Sequence, residues 1–157
     1  MVEHSYEVKI NWTGNTGEGT SSYEFYSRDH TISVKGKPTL ELSSDPSFLG
    51  DETKYNPEEL LVSAISGCYM LWYLHLCANN NITVTSYTDH AAGTMGGDSQ
   101  GMQFTNVQLH PEVEILEEGL EPKASQLHAQ AHDKCFIARS MNFPVGHTPS
   151  TNVAKRK

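Results

Sequence analysis

Residues 56–78 decide the fold and read NPEELLVSAISGCYMLWYLHLCA. Asn56 is a favoured N-cap, Pro57 suits the first helical position, and two acids follow in the first turn, so a helix begins here. From Leu60 to Ala78 no residue carries a formal charge. A helix of that length spans roughly 30 Å at about 1.5 Å per residue, which is the width of a small domain.

The uncharged helix has to be tested as a membrane span, because about 20 apolar residues suffice to cross a bilayer. It contains the polar residues Ser63, Ser66 and His75, its N-terminal flank is acidic, and no Lys or Arg follows it at residues 79–81. The cationic anchors typical of a single span are therefore missing. We expect a core helix of a soluble protein, covered on every side, with a second copy of the chain supplying part of the cover.

The chain as a whole is small and acidic. Its 157 residues fit a single domain over residues 1–157, and 11 basic against 19 acidic residues give a net charge of −8. That charge argues against nucleic acid or an anionic membrane as a partner. Three cysteines are too few for a disulfide scaffold, and the first residues show neither a basic region nor an apolar run. We expect no signal peptide and a reducing, cytoplasmic location.

Strand patterns lie on both sides of the helix. Before it, alternating and β-branched residues predict strands over residues 6–12, 21–27, 32–34 and 40–42, then a loop over 43–55. After it, they predict strands over residues 82–87 and 104–115 with a glycine turn at 96–101, a second helix from Pro122 to about Ala138, a short strand over 142–145 and a frayed tail over 152–157. This order predicts an α+β fold with segregated elements.

Cysteine is the residue type best suited to chemistry in this chain. Cys68 lies in the middle of the first helix beside Gly67, where another backbone or a substrate could approach closely. Cys77 lies on the opposite face, about 13 Å along the axis, so it cannot bridge to Cys68 while the helix is intact. Cys135, on the second helix, can meet Cys68 only if the two helices pack together. Such a pair in a reducing compartment favours redox chemistry; inert buried thiols are the alternative.

Other candidate residues give weaker signals. His128, His132 and Cys135 follow one another at i, i+4 and i+7, which places metal-ligand residue types on one helix face, but an ordinary polar helix flank has the same spacing. Taken by itself, Glu58 is a first-turn acid beside the N-cap, and Arg28 is a surface residue at a strand end. No glycine-rich phosphate loop, nucleophile elbow or paired-carboxylate motif is present.

Several of these segments together resemble the OsmC/Ohr family, which comprises osmotically inducible proteins and organic hydroperoxide resistance proteins. The segments similar to its central helix, its second cysteine helix and its final strand are NPEELL at 56–61 followed by Ala64 and SGC at 66–68, AHDKC at 131–135, and NFPV at 142–145. A less characterised OsmC-like branch shares SRDHT at 27–31 and LWYLHLC at 71–77, and often has Cys-His where this chain has Cys68-Tyr69.

The resemblance implies a fold and an activity. The family fold is an intertwined homodimer in which antiparallel sheet wraps around two central helices and two active sites lie at the subunit interface. The implied activity is that of a thiol-dependent peroxidase acting on organic hydroperoxides, with no cofactor and no metal. A dithiol of the lipoyl type serves as the reductant.

Matched residue by residue, the resemblance assigns four site residues. Cys68 corresponds to the peroxidatic cysteine, which would pass through a sulfenic acid, and Cys135 to the resolving cysteine of a Cys68–Cys135 disulfide. Arg28 corresponds to the catalytic arginine and Glu58 to its carboxylate partner. Ten helical residues, roughly 15 Å, separate Glu58 from Cys68, so we expect Glu58 to bend in from the helix start or to serve the partner subunit.

The neighbours of the cysteines bear on the substrate. Leu71, Trp72 and Phe136 are apolar and would favour a bulky organic hydroperoxide over hydrogen peroxide. Three alternatives stay open at this point. One is a redox-sensing stress protein with the same cysteine pair and poor turnover, and another is a small-molecule or metal-binding module that uses His128, His132 and Cys135. The third is a branch that has kept the fold and lost the activity.

Overall fold

The computed structural model of the chain describes residues 3–99 and 101–155. The chain divides into two compact units, one ending at Leu60 and the other beginning at Leu61. Three helices and several small sheets make this a mixed α+β fold, which confirms the predicted class.

The first unit holds one antiparallel sheet of three strands in the order β1-β2-β3. They are β1 (Lys9–Trp12), β2 (His30–Ser33) and β3 (Leu40–Leu42), followed by a short 3₁₀ helix at Pro46–Phe48. The hairpin that joins β2 to β3 was predicted, and Gly36 supplies its turn with a φ of 79°.

The predicted strand over residues 21–27 is wrong, because this segment forms turns and bends. Its carbonyl groups bind side chains instead of a neighbouring strand: Tyr23 and Tyr26 accept from Arg28, and Phe25 accepts from Thr16. Local partners of this kind compete with a sheet ladder for the same backbone groups.

The central helix, α1, runs from Pro57 to Asn79 as predicted. Its start is a reciprocal capping arrangement in which the Glu59 amide donates to Asn56 Oδ1 at 2.8 Å and the Asn56 amide donates to Glu59 Oε2 at 3.1 Å. At its end the Ile82 amide donates to the Cys77 carbonyl at 3.0 Å, and Asn81 adopts the left-handed conformation with a φ of 57°.

The second unit contains the remaining elements. The strands are β4 (Val84–Asp89), β5 (Ala92–Asp98), β6 (Gly101–Leu109), β7 (Pro111–Ile115), β8 (Val145–His147) and β9 (Ser150–Val153), and the helices are α2 (Glu121–Lys134) and α3 (Phe136–Arg139). Two three-stranded sheets form, with the orders β4-β7-β9 and β5-β6-β8. The last strand of each pairs in parallel, which corrects the expectation of purely antiparallel sheet; the crossover through α2 and α3 brings the chain back in that direction.

Four further predictions in this unit need correction. The glycine turn predicted over 96–101 is shorter than expected, because Gly96 and Gly97 lie within β5 and the hairpin closes with Asp98 paired to Gly101. Gly93 of the same strand has no room for a Cβ beside Val62 and Phe104. These glycines therefore permit close packing of neighbouring side chains against the strand. In the sequence alone, such glycines look the same as glycines that form turns.

The predicted long strand over 104–115 is broken at His110, whose amide donates to Asp89 Oδ1 at 2.7 Å. The strand predicted over 142–145 is observed over Val145–His147 as β8. The Pro144 carbonyl, just before this strand, accepts from the Val107 amide. Of the tail predicted to fray, residues 152–153 belong to β9, and residues 156–157 lie outside the described part of the chain.

The core of the second unit forms between one side of α1, the strands β6 and β7, and the inner face of α2. Its buried apolar residues include Ile65, Tyr69, Tyr73, Val107, Leu109, Val113, Ile115, Leu127 and Ala131. By length and composition α1 could cross a membrane, a test that the core helix of a soluble protein also passes. Only one third of its most apolar stretch is buried within the single chain, and Leu71 is 65% exposed.

Candidate functional site

Cys68 and Cys135 are neighbours in the structure. Cys68 lies in the middle of α1 and is 9% exposed, whereas Cys135 is fully buried. The Cys68 thiol is near enough to the Cys135 thiol to raise its pKa, and the Cys135 sulfur lies 3.9 Å from the Ile65 carbonyl of α1. Both cysteines are free thiols. The packing of the two helices thus brings together the two cysteines that the sequence could only suggest as a pair.

Cys135 does not lie within a helix, contrary to the prediction of a helix that continues to Ala138. It separates α2 from α3 with backbone angles of −67° and 96°, so the chain breaks there. The break directs the side chain inward, where its sulfur accepts from the Ala138 amide at 3.5 Å. Two hydrogen bonds from the Cys135 amide, to the carbonyls of Ala131 and His132, fasten the residue to the end of α2.

Burial raises the pKa of the Cys135 thiol to about 11, and the adjacent Cys68 thiol adds to the rise, while the Ala138 amide opposes it. Cys135 is therefore protonated at neutral pH and has to lose its proton before it can act as a nucleophile. Cys77 is likewise buried, and burial raises its pKa as well. It packs against Tyr73 in the core, away from the cysteine pair.

Arg28 is held by its own loop in the first unit. Its Nη1 donates to the Tyr26 carbonyl at 2.5 Å and its Nη2 donates to the Tyr23 carbonyl at 2.6 Å. The guanidinium carbon lies 4.2 Å from the centre of each tyrosine ring, and the two rings are nearly perpendicular to each other, so the cation contacts both. The positive charge is thus fixed locally by two carbonyls and two rings.

Glu58 lies in the first turn of α1, separated from Cys68 by ten residues of continuous helix. Its neighbour Glu59 performs the capping, so Glu58 is not needed for that purpose. Its Oε2 atom is buried and has no hydrogen-bond partner among the described residues. A buried carboxylate oxygen without a partner is costly, so this position favours a cationic or hydrogen-bonding group.

A continuous stack of aromatic rings lies behind the cysteine pair. The His128 ring stacks on Tyr73 with centroids 3.9 Å apart, and His128 Nδ1 is hydrogen-bonded to the Tyr69 hydroxyl at 2.9 Å. The His147 ring follows at 5.6 Å from Tyr69, and the His132 ring at 5.1 Å from His147. We call these five residues the ring stack. Burial, with a contribution from His147, lowers the pKa of His128 to about 4, so His128 is neutral at pH 7.

The three residues considered as metal ligands each have another partner. His128 binds Tyr69, His132 Nε2 lies 2.8 Å from the Val145 carbonyl, and Cys135 faces α1. Within residues 3–99 and 101–155, no three His, Cys, Asp or Glu side chains are grouped so that they could hold a metal ion.

Comparison with known proteins identifies the family to which this chain belongs. The family model described as OsmC-like protein matches residues 50–149. The chain belongs to the OsmC-like family. No curated protein matches it in sequence at a significant level.

Solved OsmC-like structures resemble the chain over almost its whole length. An OsmC-like protein of unknown function from Vibrio cholerae is 32% identical with a TM-score of 0.83, covering 96% of this chain and 100% of its own. Organic hydroperoxide resistance proteins from Legionella pneumophila and Elizabethkingia anophelis are 19% and 20% identical, each with a TM-score of 0.67 and the same coverage. At that identity the last two show the OsmC-like fold alone.

Sequence reasoning missed the ring stack of this OsmC-like chain. Tyr69 and Tyr73 are one helical turn apart in α1, which marks a shared face, but nothing local links them to His128 in α2 or to His147 in β8. The sequence predicts three apolar neighbours of the cysteines, Leu71, Trp72 and Phe136. Leu71 and Phe136 are exposed, and the half-buried Trp72 ring carries the Lys134 ammonium 5.5 Å from its centre.

Proposed function

We propose that this OsmC-like protein is a thiol-dependent peroxidase that reduces organic hydroperoxides. The observation that carries the proposal is the proximity of the Cys68 and Cys135 thiols, two free cysteines on separate elements of an OsmC-like fold. A cysteine that is slightly exposed beside one that is fully buried suits a peroxidatic and a resolving role, respectively.

The Cys68 thiolate attacks the outer oxygen of the hydroperoxide, and the O–O bond breaks, so that Cys68 becomes a sulfenic acid. The alkoxide takes up the proton that the Cys68 thiol released and leaves as the alcohol. The Cys135 sulfur then attacks the Cys68 sulfur, the S–O bond breaks, and the hydroxide takes up the proton of the Cys135 thiol to leave as water. A dithiol of the lipoyl type supplies two electrons and two protons to reduce the resulting disulfide.

Arg28 and Glu58 are proposed as supporting groups. A guanidinium beside Cys68 would favour the thiolate and hold the peroxide oxygens, and a carboxylate would orient the guanidinium. Arg28 has two carbonyl partners in its loop, so this role requires the loop to release it. The unpartnered, buried oxygen of Glu58 supports a role as the acceptor of such a cation.

A homodimer is part of the proposal. Ala64, Gly67, Leu71, Leu74 and Ala78 repeat at alternating spacings of four and three along α1, the pattern of a helix that packs against another helix. A Cβ at Gly67 would meet no atom within 4 Å in the single chain, although glycine weakens a helix interior by about 1 kcal/mol relative to alanine. Close approach of a second α1 would explain why glycine stands there.

The apolar residues near the cysteines favour organic hydroperoxides as the substrate class. Phe136 directly follows Cys135 and is exposed, so a hydroperoxide with a hydrocarbon body gains burial against it that hydrogen peroxide cannot gain. We expect kcat/KM for cumene hydroperoxide to exceed that for hydrogen peroxide at least tenfold. Equal values would contradict this part of the proposal.

The test is a thiol count by intact mass on reduced protein, before and after one equivalent of cumene hydroperoxide. We expect three free thiols to fall to one in the native protein, and Cys135→Ser to trap a sulfenic acid at Cys68. Cys77→Ser is the matched control and should fall from two thiols to none. Three surviving thiols would refute the proposal, whereas one stoichiometric oxidation without turnover in excess dithiol would indicate a redox sensor.

A further inference from the structure

The relative placement of α1 and the end of α2 governs any bond between the two cysteines. A disulfide requires its sulfur atoms about 2 Å apart with a restricted dihedral angle, and a misplacement of about 1 Å can slow a reaction about 100-fold. Cys68 is carried by the middle of α1, and Cys135 is fastened by its amide to the last turn of α2. The interactions that hold α1 against α2 therefore determine the distance and orientation between the two cysteine sulfurs.

One buried hydrogen bond joins these helices directly behind the cysteines. Tyr69 follows Cys68 in the chain, and its hydroxyl is 2.9 Å from Nδ1 of His128. His128 lies in α2, two helical turns before Cys135, which directly follows the end of that helix, and both side chains contact α1. Tyr69 and His128 are each only 1% exposed, so water does not compete for this bond.

The surroundings make the bond specific. Tyr73, one turn beyond Tyr69, stacks on the His128 ring at 3.9 Å and holds its plane. His128 Nε2 has no hydrogen-bond partner among the described residues, so Tyr69 is the polar group that anchors the ring. The Cys135 sulfur approaches the Ile65 carbonyl at 3.9 Å, and this carbonyl is one helical turn before Tyr69 in α1. The Tyr69–His128 hydrogen bond and the Cys135 sulfur thus contact the same turn of α1.

We propose that Tyr69 and His128 are a positioning pair for the cysteines, whose hydrogen bond sets the effective concentration of the Cys135 thiol at Cys68. The inference deepens the proposed function and rests on one part of it, the formation of a Cys68–Cys135 disulfide. It needs no peroxide, because an oxidised dithiol can take two electrons and two protons from the two thiols and leave the same bridge.

The first experiment measures the reduction potential of the bridge by equilibration with reduced and oxidised dithiothreitol. The proteins are the native chain, Tyr69→Phe, His128→Phe and the double variant, and thiols are counted by alkylation and mass. Tyr69→Phe keeps its ring and loses only the hydroxyl, and His128→Phe puts in place of the imidazole an aromatic ring that cannot form the hydrogen bond. The control is Tyr87→Phe, which removes another buried hydroxyl of this core that has no hydrogen-bond partner among the described residues.

We expect each single variant to lower the effective concentration at least tenfold, which makes the potential about 30 mV less negative. The double variant should shift no further than the single ones, because both remove the same bond. Tyr87→Phe should change the effective concentration less than twofold. Equal potentials for Tyr69→Phe and Tyr87→Phe, or additive effects in the double variant, would overturn the inference.

The second experiment follows the reaction with one equivalent of cumene hydroperoxide by rapid acid quench. Tyr69→Phe should form the Cys68 sulfenic acid at the native rate and convert it to the disulfide at least tenfold more slowly. A general loss of structure would slow both steps, and equal slowing would refute the positioning role. If the potentials shift as expected while the native chain fails to reduce peroxide, the proposed function falls and the inference is supported.

Discussion

The buried His128 makes the stability of this protein dependent on pH, and the effect can be calculated. Its pKa is about 4 in the folded state against 6.5 for the ordinary side chain, because the ring is enclosed by Tyr69 and Tyr73 and lies near His147. At a pH between these two pKa values, His128 binds a proton in the unfolded chain but not in the folded chain. Stability from this group is therefore fully present above pH 6.5 and is lost as the pH falls toward 4.

The magnitude follows from the difference between the two pKa values. That difference is 6.5 − 4, about 2.5 units, or about 3 kcal/mol when fully expressed. At pH 5 the unfolded histidine is almost fully charged and the folded one is mostly neutral, so about 2 kcal/mol of the total is already lost. This loss is a large fraction of the stability of an ordinary domain.

The assay is urea denaturation at pH 7.5, 6.0 and 5.0 at one fixed protein concentration, since dimerisation would add a concentration term. His128→Phe keeps the stacking ring and cannot titrate, so its loss of stability between pH 7.5 and 5.0 should be about 2 kcal/mol smaller than that of the native chain. Parallel curves for the native chain and His128→Phe would refute the reasoning.

Three further predictions concern the elements that position the site. Asn56→Ala breaks the reciprocal cap of α1 and should lower the free energy of unfolding by about 1 kcal/mol in urea, and an unchanged midpoint would contradict the capping role. Asp89→Asn weakens the acceptor for Ser66 Oγ (2.5 Å) and the His110 amide and should cost about 1–3 kcal/mol, whereas the exposed control Asp133→Asn should cost less than about 0.5 kcal/mol. Gly67→Leu should convert a dimer to a monomer in light scattering, while Gly67→Ala should do so much less; a dimeric Gly67→Leu would exclude helix contact at this residue.

The sequence could predict α1 and its boundaries because every signal for them is local. Asn56, Pro57 and the two acids specify the start, and the uncharged run specifies the length. The same locality made the glycines of β5 misleading. Gly93 stands in a strand because Val62 and Phe104 press against it, and neither of these residues is near it in sequence. A short strand such as β9 is equally invisible, since its partner β7 lies some 35 residues earlier and supplies the pairing.

For the site, the sequence by itself determined which residues are available: two cysteines on different elements, with small and apolar neighbours. Only the tertiary structure decided that Cys68 and Cys135 meet, that the chain breaks at Cys135, and that His128 is a buried neutral partner of Tyr69. The physical reason is that helix starts and periodicity are set by neighbours within about a turn, whereas contacts between helices depend on how whole faces pack. Burial, which fixes the pKa of Cys135 and of His128, arises only from that packing.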